Sequence, residues 1–306
     1  MRAEEPYSIS MIDRFHITPA DLLGKGGESE VYALDDARVL RIYKPQVPVA
    51  HVERRQAFYA LLHEQRPPFE LPLVLERGTA GDRVYTVERR MCGHDFAGVL
   101  PALEGAGRRH VLTSYLQVAE QIGTIQFPER PFGELLTAGA PLQRDSWAQF
   151  LWDRLQQTYR FSRADVEQDV PGVDAILAHM RAELRALEGF QEKRLVHGDY
   201  FPGNVFIDGR LTICGVGDFG YTTVIGDPRM DLAGAVVYLE VVDGHRPDDT
   251  AFLMRSVEER HGRDIVRWID CYRLYYSFYF SRCKADDPRT YAWCIGNLRS
   301  WLQTTD

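Results

Sequence analysis

The sequence predicts an α+β protein with a small strand-rich N-terminal part and a larger helical C-terminal part. Three observations predict it. Roughly the first ninety residues read as short strands with one helix. After Gly93 the texture changes to long amphipathic stretches. One strand-like segment, residues 195–223, interrupts the helical part and carries the densest set of chemically active side chains.

Taken in order, residues 30–34 and 37–43 flank the turn-forming pair Asp35-Asp36 and read as two strands. Residues 49–63 have helical periodicity, and residues 83–91 (RVYTVERRM) read as a further strand. Residues 108–126, 145–161, 174–187, 249–261 and 264–283 then read as amphipathic helices. The change of texture places a boundary near Cys92-Gly93, giving residues 1–92 as one lobe and 93–306 as the other.

At 306 residues and 45% hydrophobic, the chain is long enough for one large domain or two modest lobes, each with its own core. No apolar run reaches the roughly 18 residues of a membrane span, and the start, MRAEEPYSIS, lacks the order of a secretory signal. The expected compartment is the cytoplasm. The five cysteines show no CxxC spacing, so they read as reduced thiols rather than a disulfide framework or zinc site. A net charge of −8 argues against nonspecific binding to nucleic acid or a membrane, which would repel an acidic surface.

The chemistry concentrates in LVHGDYFPGNVFIDGRLTICGVGDFG. It holds His197-Gly198-Asp199, Asn204 five positions after that Asp, and Asp218-Phe219-Gly220 nineteen positions after it (218 minus 199). Phosphoryl transfer from ATP requires such a set: one carboxylate to orient and deprotonate an acceptor hydroxyl, and further oxygen ligands to hold magnesium against the phosphates. Turn chemistry around Pro202-Gly203 explains each residue separately but not their spacing.

These residues resemble the aminoglycoside phosphotransferase and choline kinase family, with its HGDxxxxN and DxG motifs followed by DPxxDLA at Asp227-Pro228-Arg229-Met230-Asp231-Leu232-Ala233. The resemblance implies a bilobal, protein-kinase-like fold with a small β-rich N-lobe and a larger helical C-lobe. It implies Asp199 as catalytic base, Asn204 and Asp218 as ligands of Mg2+, and Asp231, with His197, as support for the catalytic loop.

On the same likeness, Gly24-Lys25-Gly26-Gly27-Glu28-Ser29-Glu30-Val31 resembles a phosphate-covering loop, with Ser29 at its third glycine position. Nucleotide-binding positions are then Gly24, Gly26, Gly27, Ser29, Val31, Val39, Arg41, Arg89, Met91 and Phe206. Arg41 matches the basic residue that grips the phosphates, and strand alternation puts it on one face with Val39, which would roof the base. Lys44 is the second choice. Gln56 falls where the family carries the acid that partners this cation, with Glu53 one turn earlier as substitute. Arg89 and Met91 match the lobe connector that reads the base through its backbone, and Phe206 would lie beneath the ring.

Three departures bear on the acceptor. Gly198 stands where protein kinases carry the Arg that anchors a phosphorylated loop, and position 201 is Phe rather than their Lys. Only thirteen positions (231 minus 218) separate Asp218 from Asp231, too few for a peptide platform. The expected activity is transfer of the γ-phosphate of ATP or GTP to a hydroxyl of a small molecule. Antibiotics of the aminoglycoside or basic-peptide type rank first, ahead of amino-alcohols such as choline or homoserine and of a nucleotide-binding regulator. The aromatic run Tyr272, Tyr275, Tyr276, Phe278, Tyr279 and Phe280 reads as core or as a pocket wall. Glu240, Asp243, Asp248 and Asp249 read as a solvated loop or a surface for a cationic antibiotic.

Overall fold

Between residues 22 and 89, the alternation of apolar and polar side chains resolves into one antiparallel sheet and one helix in the computed structural model, which describes residues 11, 13–137 and 139–305. The strands are β1 (Leu22–Lys25), β2 (Ser29–Ala33), β3 (Arg38–Tyr43), β4 (Val74–Ala80) and β5 (Arg83–Arg89), in the spatial order β1-β2-β3-β5-β4. Register decides what each face carries. Tyr32, Leu40, Ile42, Tyr85 and Val87 share one face and bury themselves with Met11 and Ile17. At about 1.5–3 kcal/mol for each large apolar side chain buried, that cluster fixes the register against a one-residue slip. The opposite face carries Ser29, Val31, Val39, Arg41, Thr86 and Glu88. Helix α1 (Val49–Glu64) packs Val52 with Tyr43, Val47 and Val84.

The chain divides into two compact units: one runs to Cys92 and includes Gly215–Gly217, the other comprises Gly93–Cys214 and Asp218 onward. Gly215–Gly217 joins the first unit where the Val216 N–H donates to the Glu70 carbonyl at 2.9 Å.

In the second unit α2 (Phe96–Val99), α3 (Gly105–Ile122), α4 (Trp147–Asp169) and α5 (Val173–Arg185) precede the chemically dense segment. After it come α6 (Arg229–Val237), α7 (Pro247–His261), α8 (Asp264–Phe280) and α9 (Pro288–Thr305). Local chemistry sets several ends. The Ser146 hydroxyl accepts the Gln149 N–H at the start of α4, and α7 opens on Pro247 and closes before Gly262 at φ 81°. Helix α6 is buried from Met230 to Val237 and packs against α8. Short strands frame the dense segment: β7 (Phe132–Glu134) pairs with β8 (Gln143–Arg144), both β7 and β9 (Arg194–Val196) pair with β12 (Val224–Gly226), and β10 (Val205–Ile207), which pairs with β6 (His94–Asp95), is followed in the chain by β11 (Ile213–Val216). The α+β class expected from the sequence is the one observed, a smaller antiparallel-sheet unit and a larger helical one. No helix among the described residues is long and apolar enough to cross a membrane.

Candidate active site

Strand β9 delivers the chain into His197-Gly198-Asp199, where the backbone turns sharply. Gly198 has φ 76°, and a Cβ there would lie 2.2 Å from the Thr222 carbonyl oxygen, so only glycine fits. The two N–H groups of this buried turn need acceptors. Asp231, fully buried in the first turn of α6, supplies both: its carboxylate accepts from His197 N at 2.7 Å and from Gly198 N at 2.9 Å. Burial pushes Asp231 up to about 7, with the two N–H bonds opposing. His197 is itself buried, accepts the Asp199 N–H on Nδ1 at 3.3 Å, and packs its ring 4.4 Å from that of Phe219.

Asp199 and Asn204 are brought together by the short helical turn Pro202–Asn204. The Asn204 amide donates to the Asp199 carbonyl at 2.9 Å and to its carboxylate at 3.5 Å. Burial and the nearby charge of Asp218 push the Asp199 carboxyl up to about 6, against the Asn204 bond. Asp218 is exposed and sits at φ 58°, a left-handed conformation that Asp tolerates better than bulkier residues. Its neighbour Phe219 is fully buried, and the turn beyond is closed by Thr223, whose hydroxyl accepts the Gly220 N–H and donates to the His197 carbonyl. Phe206, half-buried on β10, stands opposite Asp95.

The other sequence candidates lie in the first unit. Gly24 is on β1, and Gly26 and Gly27 form the turn into β2. A Cβ would meet nothing within 4 Å at Gly24 or Gly27, and at Gly26 only the Ser29 carbonyl at 3.9 Å. Packing in the protein itself therefore does not demand these glycines. Val31 lies directly across from Arg41, and Val39 is buried beside it on the same face. Arg89 closes β5, with its N–H donated to the Leu73 carbonyl. The Met91 side chain packs against Gly215, where a Cβ would lie 2.5 Å from its methyl carbon.

The sequence also matches the model of the phosphotransferase enzyme family over residues 20–268. The chain belongs to that family. It is a phosphotransferase with a protein-kinase-like fold, and solved structures share that fold. The phosphotransferase aligns with the GDP and kanamycin complex of APH(2")-IIia at a TM-score of 0.61, with 16% identity, over 98% of this chain and 99% of the other. The streptomycin-ATP-APH(2")-IIa ternary complex gives 0.59, 14% identity and 99% and 97% coverage. APH(3'')-Id from Streptomyces rimosus in complex with ADP and streptomycin gives 0.55, 16% identity and 95% and 97% coverage. At these identities the likeness is one of fold. No curated protein matches the sequence.

The phosphotransferase departs from the sequence expectations in the partner of Arg41. Its acid is Glu88 on β5, at 3.1 Å from Nε, and not a residue of α1. Gln56 only shares the wall of a small cavity with Arg41 and Glu88, and Glu53 pairs instead with Arg77. The acidic stretch is also engaged internally. Glu240 takes a two-point ion pair from Arg273, Asp243 pairs with Arg289, and Asp249 pairs with the buried Arg108. The aromatic run is core: Tyr272, Tyr275, Tyr276, Phe278 and Tyr279 are all buried. Glu88, Thr223 and the Arg55–Glu28 pair were not singled out from the sequence.

Proposed function

We propose that this phosphotransferase moves the γ-phosphate of ATP or GTP, with magnesium, onto a hydroxyl of a small molecule. The observation that carries the reading is the Asp231 clamp, which fixes the His197-Gly198 turn and so presents Asp199 beside Asn204 within the field of Asp218. A carboxyl pushed up to about 6 is ionised at neutral pH yet more basic than an ordinary aspartate, which suits the acceptance of a hydroxyl proton. Asp199 would orient the acceptor hydroxyl and take its proton as that oxygen bonds the γ-phosphorus and the bond from this phosphorus to the β–γ bridging oxygen breaks, releasing the nucleoside diphosphate.

The residues fit magnesium. Asn204 bonds through its NH2 edge, which leaves the amide oxygen facing away from Asp199, and Asp218 adds an exposed carboxylate. The donors are hard oxygens. Magnesium commonly takes one or two protein ligands, with phosphate and water oxygens completing its shell. When bound, magnesium would neutralise developing charge on the phosphates. In the first unit, the glycines of the β1–β2 turn leave room for close backbone approach to phosphate, Arg41 supplies the cation, and Val39 with the Met91 backbone serves the base.

Aminoglycoside-type antibiotics are the first acceptor class to test, because solved structures with this fold are described with kanamycin and streptomycin. One observation favours a second reading, a small amino-alcohol metabolite. Glu240, Asp243 and Asp249 are paired with arginines, so they do not form a ready surface for a polycation. An ADP-release screen over kanamycin, streptomycin, choline and homoserine separates the two. Release stimulated by none of these or any other hydroxylated small molecule would remove the proposal.

A further inference from the structure

The sheet face that carries Arg41 is wired differently from what a helix acid would give. The Arg41 Nε donates to Glu88 at 3.1 Å and a terminal nitrogen donates to the Ser29 hydroxyl at 3.0 Å. Glu88 is held in turn by the Thr86 hydroxyl at 2.6 Å. These residues come from three adjacent strands, and the register alone puts them on one face. Because a guanidinium is a rigid planar fork, fixing Nε and one terminal nitrogen sets its plane. Glu88 is buried and Arg41 is four-fifths buried, so their attraction is poorly screened by solvent.

Helix α1 reaches a different target. Arg55, buried and lying over the Tyr43 ring at 5.4 Å, donates to the Glu28 carboxylate at 2.8 Å, with the His51 ring nearby at 3.7 Å. Glu28 closes the glycine turn, where its carbonyl accepts the Lys44 N–H at 2.8 Å and Gly26 N–H donates to Ser29 at 2.9 Å. The helix therefore holds the turn, and the sheet holds the cation.

We infer that nucleotide binding is organised by Glu88 and Ser29, which position Arg41 from within the sheet, and by Arg55, which positions the glycine turn through Glu28. This rests on the proposed reading of Arg41 as the phosphate contact. Two supports replace a single helix–strand ion pair: Glu88 and Ser29 orient Arg41 from the sheet, and α1 acts on the glycine turn through Arg55 and Glu28.

The test is calorimetric titration of magnesium-ADP into the full chain, with steady-state KM and kcat beside it and circular dichroism to check folding. Glu88→Gln should weaken nucleotide binding about tenfold, the scale of one charge-assisted bond, and Ser29→Ala severalfold, while kcat at saturating nucleotide changes far less. Glu88→Asp should recover part of the loss. Glu28→Gln and Arg55→Gln should each weaken binding, and the double variant no more than either alone. An effect of Gln56→Ala as large as that of Glu88→Gln overturns the inference, as does additivity of the Glu28 and Arg55 changes. Should Glu88→Gln fail to fold, Ser29→Ala and the Glu28–Arg55 cycle decide it. Arg41→Ala is the control: unaltered nucleotide affinity in that variant would remove the reading of Arg41 itself, whereas a defect there with silent Glu88 and Ser29 variants would remove only the inference.

Discussion

Tyr115 and Tyr200 stack with ring centroids 4.7 Å apart, and each donates its hydroxyl to the other's backbone carbonyl, at 2.6 and 2.8 Å. Both are fully buried. Since Tyr200 follows Asp199, this reciprocal clasp ties α3 to the peptide that carries the proposed base. Tyr115→Phe removes one hydrogen bond and leaves the Tyr200 carbonyl short of a partner, at a cost of about 1–3 kcal/mol in a urea unfolding experiment. It should lower kcat more than it raises the KM for nucleotide. Unchanged stability would show that the clasp is not formed.

Asp199→Asn should lower kcat by roughly 10²- to 10⁴-fold, because it removes the proton acceptor while leaving a group of the same shape. Nucleotide affinity, measured by titration of magnesium-ADP, should stay within a few-fold of wild type. Wild-type turnover in the variant would reassign the base.

The acid limb of the rate profile should fall with an apparent pKa near 6, the value to which burial and Asp218 push Asp199. Stability carries the opposite sign. The folded carboxyl binds its proton more tightly than the unfolded one, so this residue's contribution is present at low pH and is lost as pH rises through about 6. Asp199→Asn should therefore melt close to wild type near pH 4 and above it at pH 8. A variant that melts lower at pH 8 would contradict the assigned burial cost.

Gly198→Ala should be among the most damaging single-methyl additions in the chain. The new Cβ would meet the Thr222 carbonyl at 2.2 Å in a backbone at φ 76°. A loss of more than about 2 kcal/mol is expected in denaturant unfolding, with activity lost even where the chain still folds. A variant with wild-type stability would mean that the turn relaxes freely.

The site was legible in the sequence where it is local. Asp199, Asn204 and Asp218, the residues proposed for the chemistry, lie within one short stretch, and Asp231 lies only thirteen positions beyond Asp218 (231 minus 218). Glu88 was not legible, because its meeting with Arg41 across 47 positions depends on which strands are neighbours and in what register. The same holds for Asp249, whose partner Arg108 is 141 positions away. Strands β1 and β4 escaped the sequence reading for a different reason. All four residues of β1 are exposed, and β4 lies at the sheet edge with a glycine at position 78, so neither shows the burial alternation that marks a strand. Helix α4 runs past the expected end at residue 161 to Asp169, since the continuation is polar and its apolar stripe thins after the exposed Phe161.

The most direct measurement incubates the purified chain with ATP, magnesium and a single small alcohol, kanamycin first and then choline, and reads the product by mass spectrometry and phosphorus NMR. The account predicts one phosphate on a hydroxyl of the small molecule, formed by the wild type and lost in Asp199→Asn while nucleotide still binds. Phosphate found only on protein hydroxyls, or tight nucleotide binding with no transfer to any small alcohol, would contradict it.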